Sequence, residues 1–206
     1  MMKRRTTLVL SLGLACQFSA MAAGKQPPDR QVGDKLPAAS APARNGGFAT
    51  LEWDALMPTG WDPMKDMPMS RLSRLNDGDP RAQSALDELK RAWEKSPIRP
   101  DLDGKPIRIA GFVVPLGGTA QSLTEFLLVP YFGACIHVPP PPSNQIIHIK
   151  SSKPLSGVRS MDSIWVSGTL HTAITDTAMG TSGYRLDLVS SAPYVEPGAS
   201  RGWKLR

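Results

Sequence analysis

Four consecutive prolines, Pro139–Pro142, interrupt the stretch VPYFGACIHVPPPPSNQIIHIK at residues 129–150. Proline fixes φ and lacks an N–H, so this run holds a stiff, extended connection between the elements on either side. Apolar alternation identifies those elements as strands. IRIAGFVVPL (107–116) alternates and ends in Pro115, with Gly111 expected as a bend or bulge. TEFLLVP (124–130), NQIIHIK (144–150), SIWVSGTLH (163–171) and YRLDLVS (184–190) supply four more. Five short strands parted by turn-rich loops, with a glycine inside the first and the fourth, predict a small OB-like barrel. A β-sandwich is the alternative.

One helix flanks these strands. Asp79 can cap it, Pro80 suits its first position, and Ala82, Ala85, Leu86, Leu89, Ala92 and Trp93 recur at helical spacing. Ser96-Pro97 ends it near Lys95. The expected class is therefore mainly β with one flanking helix, α+β, and the helix is expected to cover part of a sheet. Ahead of it, Trp53, Leu56 and Trp61 read as anchors of a short helical or irregular extension that starts the ordered domain at Phe48.

The N-terminus reads as a secretory signal. Lys3, Arg4 and Arg5 precede an apolar run from Thr7 to Phe18, and Ala20-Met21-Ala22 fits a cleavage site. The run is too short to span a bilayer. LGLAC ahead of Cys16 resembles a lipobox only loosely, since Gly13 stands where leucine is usual, so a cleaved signal is preferred to lipidation. Cleavage after residue 22 lowers the formal charge from +6 to +3, because three basic residues and no acidic ones depart. That balance gives little hold on a polyanion, and export argues against nucleic acid as a partner. Residues 23–47, rich in Pro, Ala, Gly and charge, read as a flexible tether; 48–195 form the domain, and 196–206 a tail.

Without Cys16, Cys135 is the chain's lone cysteine. His137 lies two residues on, and in an extended segment the two side chains share a face. Thiolate and imidazole together suit Zn(II) or a copper ion. His148 in the third strand and His171 at the end of the fourth could complete the set if the fold joins those strands. Asn144 and Gln145 could orient an imidazole or fix the loop. Met64, Met67 and Met69 form a second candidate for Cu(I), weighed against their use as core filler. Two other readings compete for Cys135. It could be a small buried apolar residue, or a nucleophile with His137 or His148 as base and Asn144 or Gln145 as orienter. No thiol-enzyme signature surrounds it, and no second cysteine serves a redox cycle.

GFVVPLGG (111–118) followed by FLLVPYFGACIHVPPPPSNQIIHI (126–149) resembles the bacterial exported domain-of-unknown-function family DUF3299, over roughly residues 50–195. The resemblance places the family motif on Cys135, His137, the prolines, Asn144 and Gln145. It implies a small exported or lipid-anchored protein without established activity. It further implies, through gene neighbourhood with ABC-transporter components of zinc-responsive clusters, a part in periplasmic metal handling. The first expectation is thus a periplasmic zinc-binding accessory of an ABC-type transport system. A protein-interaction module of an envelope transport complex is the second, and a cysteine-dependent hydrolase or oxidoreductase the third.

Overall fold

In the computed structural model, residues 30–37, 44–62, 65, 79–117, 119 and 122–196 are described. The expected signal segment, Cys16 and Met64, Met67 and Met69 lie outside them. The molecule is mostly β with one α-helix. The strands are β1 (Arg44–Asn45), β2 (Phe48–Thr50), β3 (Lys105–Pro115), β4 (Leu123–Val129), β5 (Ile147–Leu155), β6 (Ser163–Thr177) and β7 (Gly180–Pro193). They make one mixed sheet in the order β1-β2-β3-β4-β5-β7-β6, in which β3 also pairs with β6. Only β2–β3 and β5–β7 are parallel.

All five expected strands are present, with shifted ends. The third begins later, at Ile147, because Ser143–Gln145 forms a 3-10 turn first. The fourth and fifth run on to Thr177 and back from Gly180 as one hairpin, beyond the apolar alternation that revealed them. Apart from exposed Ile174, that extension carries small and polar residues on both faces, so no period-2 signal marks it.

Two glycines are required by close approach. A Cβ at Gly168 would collide with the backbone carbonyl of Asp187 on β7. At Gly111 it would lie 2.7 Å from Leu128 Cγ and 2.8 Å from the Val129 carbonyl oxygen. Gly111 therefore serves tight packing of β3 on β4.

The strands divide the apolar residues into two clusters. Ile107, Ile109, Val113, Phe126, Leu128, Ile147, Ile149, Val166, Leu170, Tyr184 and Leu186 share the larger one. Phe112, Val114, Leu127, Val129, Ala134 and Ile146 form the second, on the opposite face of β3 and β4. A strand buried on both faces reads as an unbroken apolar run, which accounts for FVV in β3 and FLLV in β4. Covering this second cluster is the loop that carries the proline run.

Helix α1 (Pro80–Glu94) starts as expected, with the Asp79 carboxylate accepting the Arg81 N–H. None of its residues is buried, so it flanks the sheet and covers no part of it deeply. The tether reading also needs revision within 30–37. Gly33 N–H donates to Phe132 O at 2.9 Å and Phe132 N–H to Asp34 O at 2.8 Å. Leu36 packs on the second cluster, and Arg30 pairs with Glu196 at 2.7 Å. These backbone bonds and one aliphatic anchor dock the segment against the proline loop. Among the described residues no helix is long and apolar enough to cross a membrane.

Candidate functional site

The loop from Tyr131 to Pro142 leaves β4 through a tight turn. Gly133 has φ +85° and Cys135 φ +64°, the left-handed region that a non-glycine residue enters only at a cost. The Gly133 carbonyl accepts the His137 N–H at 2.8 Å and those of Ile136 and Val138 at 3.3 Å, while the Gly133 N–H donates to Met161 Sδ at 3.1 Å. The segment around Cys135 is thus coiled, and the expected sharing of a face by Cys135 and His137 does not follow. Cys135 packs against the second apolar cluster, with Met161 and Met179 at the same edge, whereas His137 is exposed.

Burial pushes the Cys135 thiol up to about 12, with no cation or base acting against it. A nucleophilic cysteine needs the opposite environment, electropositive and partly open. The residues beyond it build a rigid frame. Asn144 donates to Pro97 O at 2.8 Å, and Gln145 to Trp53 O at 3.0 Å and to Asn144 O at 3.1 Å. Pro141 and Pro142 are buried, Pro139 is exposed, and Pro140 abuts Gly180, where an added Cβ would lie 2.9 Å from its ring. The amides and prolines fix where the loop lies, and none of them reaches an imidazole.

His148 is buried in β5, its Nε2 2.8 Å from Glu125 Oε1 and its Nδ1 without a partner. His171 on β6 lies between two carboxylates, Nδ1 3.7 Å from Asp103 and Nε2 3.3 Å from Asp187. Arg185 on β7 is the registered neighbour of both histidines, so the two share a face with a guanidinium between them. The structure brings His148 and His171 onto that face but leaves Cys135 and His137 on the loop. Among the described residues no group of three or more His, Cys, Asp or Glu side chains is placed to hold a metal. The buried Nδ1 of His148 is a free nitrogen of the right kind, yet a cation beside it would stand next to Arg185. Among the described residues, Cys135, His137, His148 and His171 are not gathered into one cluster of donors.

Sequence reasoning missed two polar features. Tyr184, counted only as a strand residue, lies inside the core, where its hydroxyl donates to Leu56 O and accepts the Arg99 N–H, both at 2.7 Å. Arg108, in the middle of IRIAG, stacks its guanidinium 3.8 Å from the Trp165 ring centre. The available signal for Arg108 was a charged residue at a strand position where alternation predicts an outward side chain.

No curated protein matches the chain. A crystal structure of a DUF3299 family protein from Pseudomonas aeruginosa PAO1 is similar at 33% identity and a TM-score of 0.57, over 74% of this chain and 100% of that one. The model of DUF3299, described as a protein of unknown function, matches residues 53–193. The chain therefore belongs to the DUF3299 family.

Proposed function

We propose that this protein is a non-catalytic binding module of an envelope transport complex, exported to the periplasm by a signal peptide cleaved after Ala22. The observation that carries this reading is the state of Cys135. A half-buried thiol packed on an apolar cluster, with burial pushing it up to about 12, suits packing and not nucleophilic attack. The family motif then acts as a frame. It fixes a loop whose outer edge presents Ile136, 39% exposed, with His137 and Pro139 beside it. Rigid presentation of an apolar residue reduces the freedom lost when a partner docks.

The five longer strands support an OB-like barrel as the scaffold. Each pairs with two others, β3-β4-β5-β7-β6, and the pairing returns from β6 to β3. That cycle would remove the sheet edges, leaving the loops for recognition.

Elemental analysis of the purified exported protein, with and without added zinc or Cu(I), tests the reading. The expected result is far less than stoichiometric metal, unchanged in Cys135→Ala. Stoichiometric zinc or copper lost in Cys135→Ala would overturn it in favour of metal handling. The docking edge is tested by a photocrosslinker placed at Ile136 in cells, with exposed Ile174 on β6 as the control position. Crosslinking to a transport-complex subunit from Ile136 alone is expected; equal yields from the two positions would refute a specific edge.

A further inference from the structure

Side by side on the outward face of β3, β6 and β7 lie Arg108, Ser167 and Ser190. Arg108 is the registered partner of Ser167, and Ser167 of Ser190. Registered partners on adjacent strands point the same way and stand about 5 Å apart, so one guanidinium and two hydroxyls form a row about 10 Å long. The next row is Ala110, Trp165 and Ala192, which sets the Trp165 ring beside them. Phe48, from the short β1–β2 hairpin, lines a groove of about 170 Å³ with them, as does Ser191.

Three observations give this groove a ligand chemistry. First, the Arg108 guanidinium faces no anion among the described residues. The other half-buried arginines, Arg30, Arg99 and Arg185, each lie against a carboxylate at 2.7, 2.5 and 3.2 Å, from Glu196, Asp101 and Asp187. The Arg108 guanidinium makes neither hydrogen bond nor ion pair with any described residue, while the Arg108 backbone carbonyl accepts the Leu51 N–H, and no acidic side chain among the described residues lines the groove. A partly desolvated guanidinium without an anion is costly unless something supplies one. Second, its orientation is fixed. The guanidinium stacks on Trp165, and Trp165 is itself braced by Tyr194 at 5.6 Å between ring centres. Third, the hydroxyls of Ser167 and Ser190 have no partner among the described residues, although Ser167 is 8% exposed.

We infer that the groove bounded by Arg108, Trp165, Ser167, Ser190 and Phe48 is a binding site for a small organic carboxylate with a flat apolar body. The fork of Arg108 takes the two carboxylate oxygens in parallel, and a serine hydroxyl donates to one of them. The apolar body lies against Phe48 and Trp165. A volume near 170 Å³ matches the cavity size of about 150 Å³ that accommodates a single six-membered ring. Inorganic phosphate meets the cation but leaves the aromatic walls uncovered. The site lies apart from the Cys135 loop, and its existence does not depend on the role proposed for that loop.

The probe is benzoate, titrated into the exported protein and followed by amide chemical shifts, with acetate and inorganic phosphate as comparators. Saturable binding is expected, with a Kd on the order of 0.1–1 mM and shifts centred on residues 108, 165, 167 and 190. Acetate should bind at least about fivefold more weakly, because it lacks the flat body. Arg108→Gln and Arg108→Lys should each weaken benzoate about tenfold or more, while Cys135→Ala leaves the titration unchanged. No saturation by about 10 mM benzoate overturns the inference. Phosphate binding as tight as benzoate, or undiminished benzoate binding in a folded Arg108→Gln variant, does so as well. Should the Arg108 variants unfold, Ser167→Ala and Phe48→Ala decide the matter, since each must weaken benzoate several-fold; unchanged affinity in both rejects the site.

Discussion

Alkylation of Cys135 gives the most direct test of how the motif is used. Burial raises its thiol from 9.0 to about 12, so near neutral pH the thiolate fraction falls by about three decades relative to an unperturbed cysteine. Intrinsic nucleophilicity grows with basicity, with a Brønsted coefficient of roughly 0.4–0.5, which restores about one and a half decades. The net expectation is labelling about 30-fold slower than a free thiol, before the half-burial of the sulfur slows it further. The assay is iodoacetamide labelling under pseudo-first-order conditions, with the Cys135 peptide followed by mass spectrometry and glutathione as the reference. In denaturant the rate should rise to that of the reference. A native rate equal to or above glutathione would refute the apolar placement of the sulfur. Acceleration by a chelator would show instead that a metal had been shielding it.

Four other outcomes follow from the geometry. Gly168→Ala should cost about 3 kcal/mol or more and Gly111→Ala about 1–3, since both drive a Cβ into backbone or core, whereas Gly117→Ala, with open space around it, should be near neutral in denaturant melts. Tyr184→Phe removes a buried hydroxyl and orphans the Arg99 N–H and the Leu56 carbonyl, an expected loss of about 1–3 kcal/mol by the same measurement. Asn144→Ala should loosen the proline loop and speed amide exchange from residue 131 to 138 before it affects β6 and β7. Burial raises Cys135, Tyr131, Tyr184 and Tyr194 alike in the folded state. The folded chain then holds protons that the unfolded chain releases, so this stability is complete below about pH 9 and is lost as the pH climbs towards 12. Thermal midpoints across that range should fall less steeply in Cys135→Ala.

The fold was legible where periodicity reports burial. IRIAG, SIWVSG and YRLDL alternate because one face of each meets the larger cluster, and the strands lie where that alternation places them. FVV and FLLV do not alternate, and the reason is the second cluster, which exists only because residues far apart in sequence close over β3 and β4. Docking of residues 30–37 was not legible at all. Its bonds to Phe132 are backbone to backbone and leave no mark on composition. The glycines in the first and fourth strands were visible, but their cause, contact with Leu128 and Asp187, belongs to the pairing between strands. At the candidate site, spacing suggested donors. It could not reveal that His148 would be held by Glu125 and bordered by Arg185, contacts that come from β4 and β7.

The misplaced expectation for Cys135 and His137 has one local origin, the positive φ of Cys135, and this leads to a test in which two terms oppose each other. A left-handed conformation costs an L-residue roughly 1–2 kcal/mol, a cost that Cys135→Ala retains and Cys135→Gly removes. Glycine in turn gives up roughly 0.5–1 kcal/mol of extra backbone entropy on folding. Both variants lose the packing of the sulfur, so that contribution largely cancels in the comparison. The difference should leave Cys135→Gly more stable than Cys135→Ala by about 0.5–1 kcal/mol, the reverse of the order expected in a strand. Chemical denaturation of the two variants side by side reads this directly. Were alanine the more stable, Cys135 would have to lie in ordinary extended backbone. Its side chain would then share a face with His137, and the case for a metal-binding pair would return.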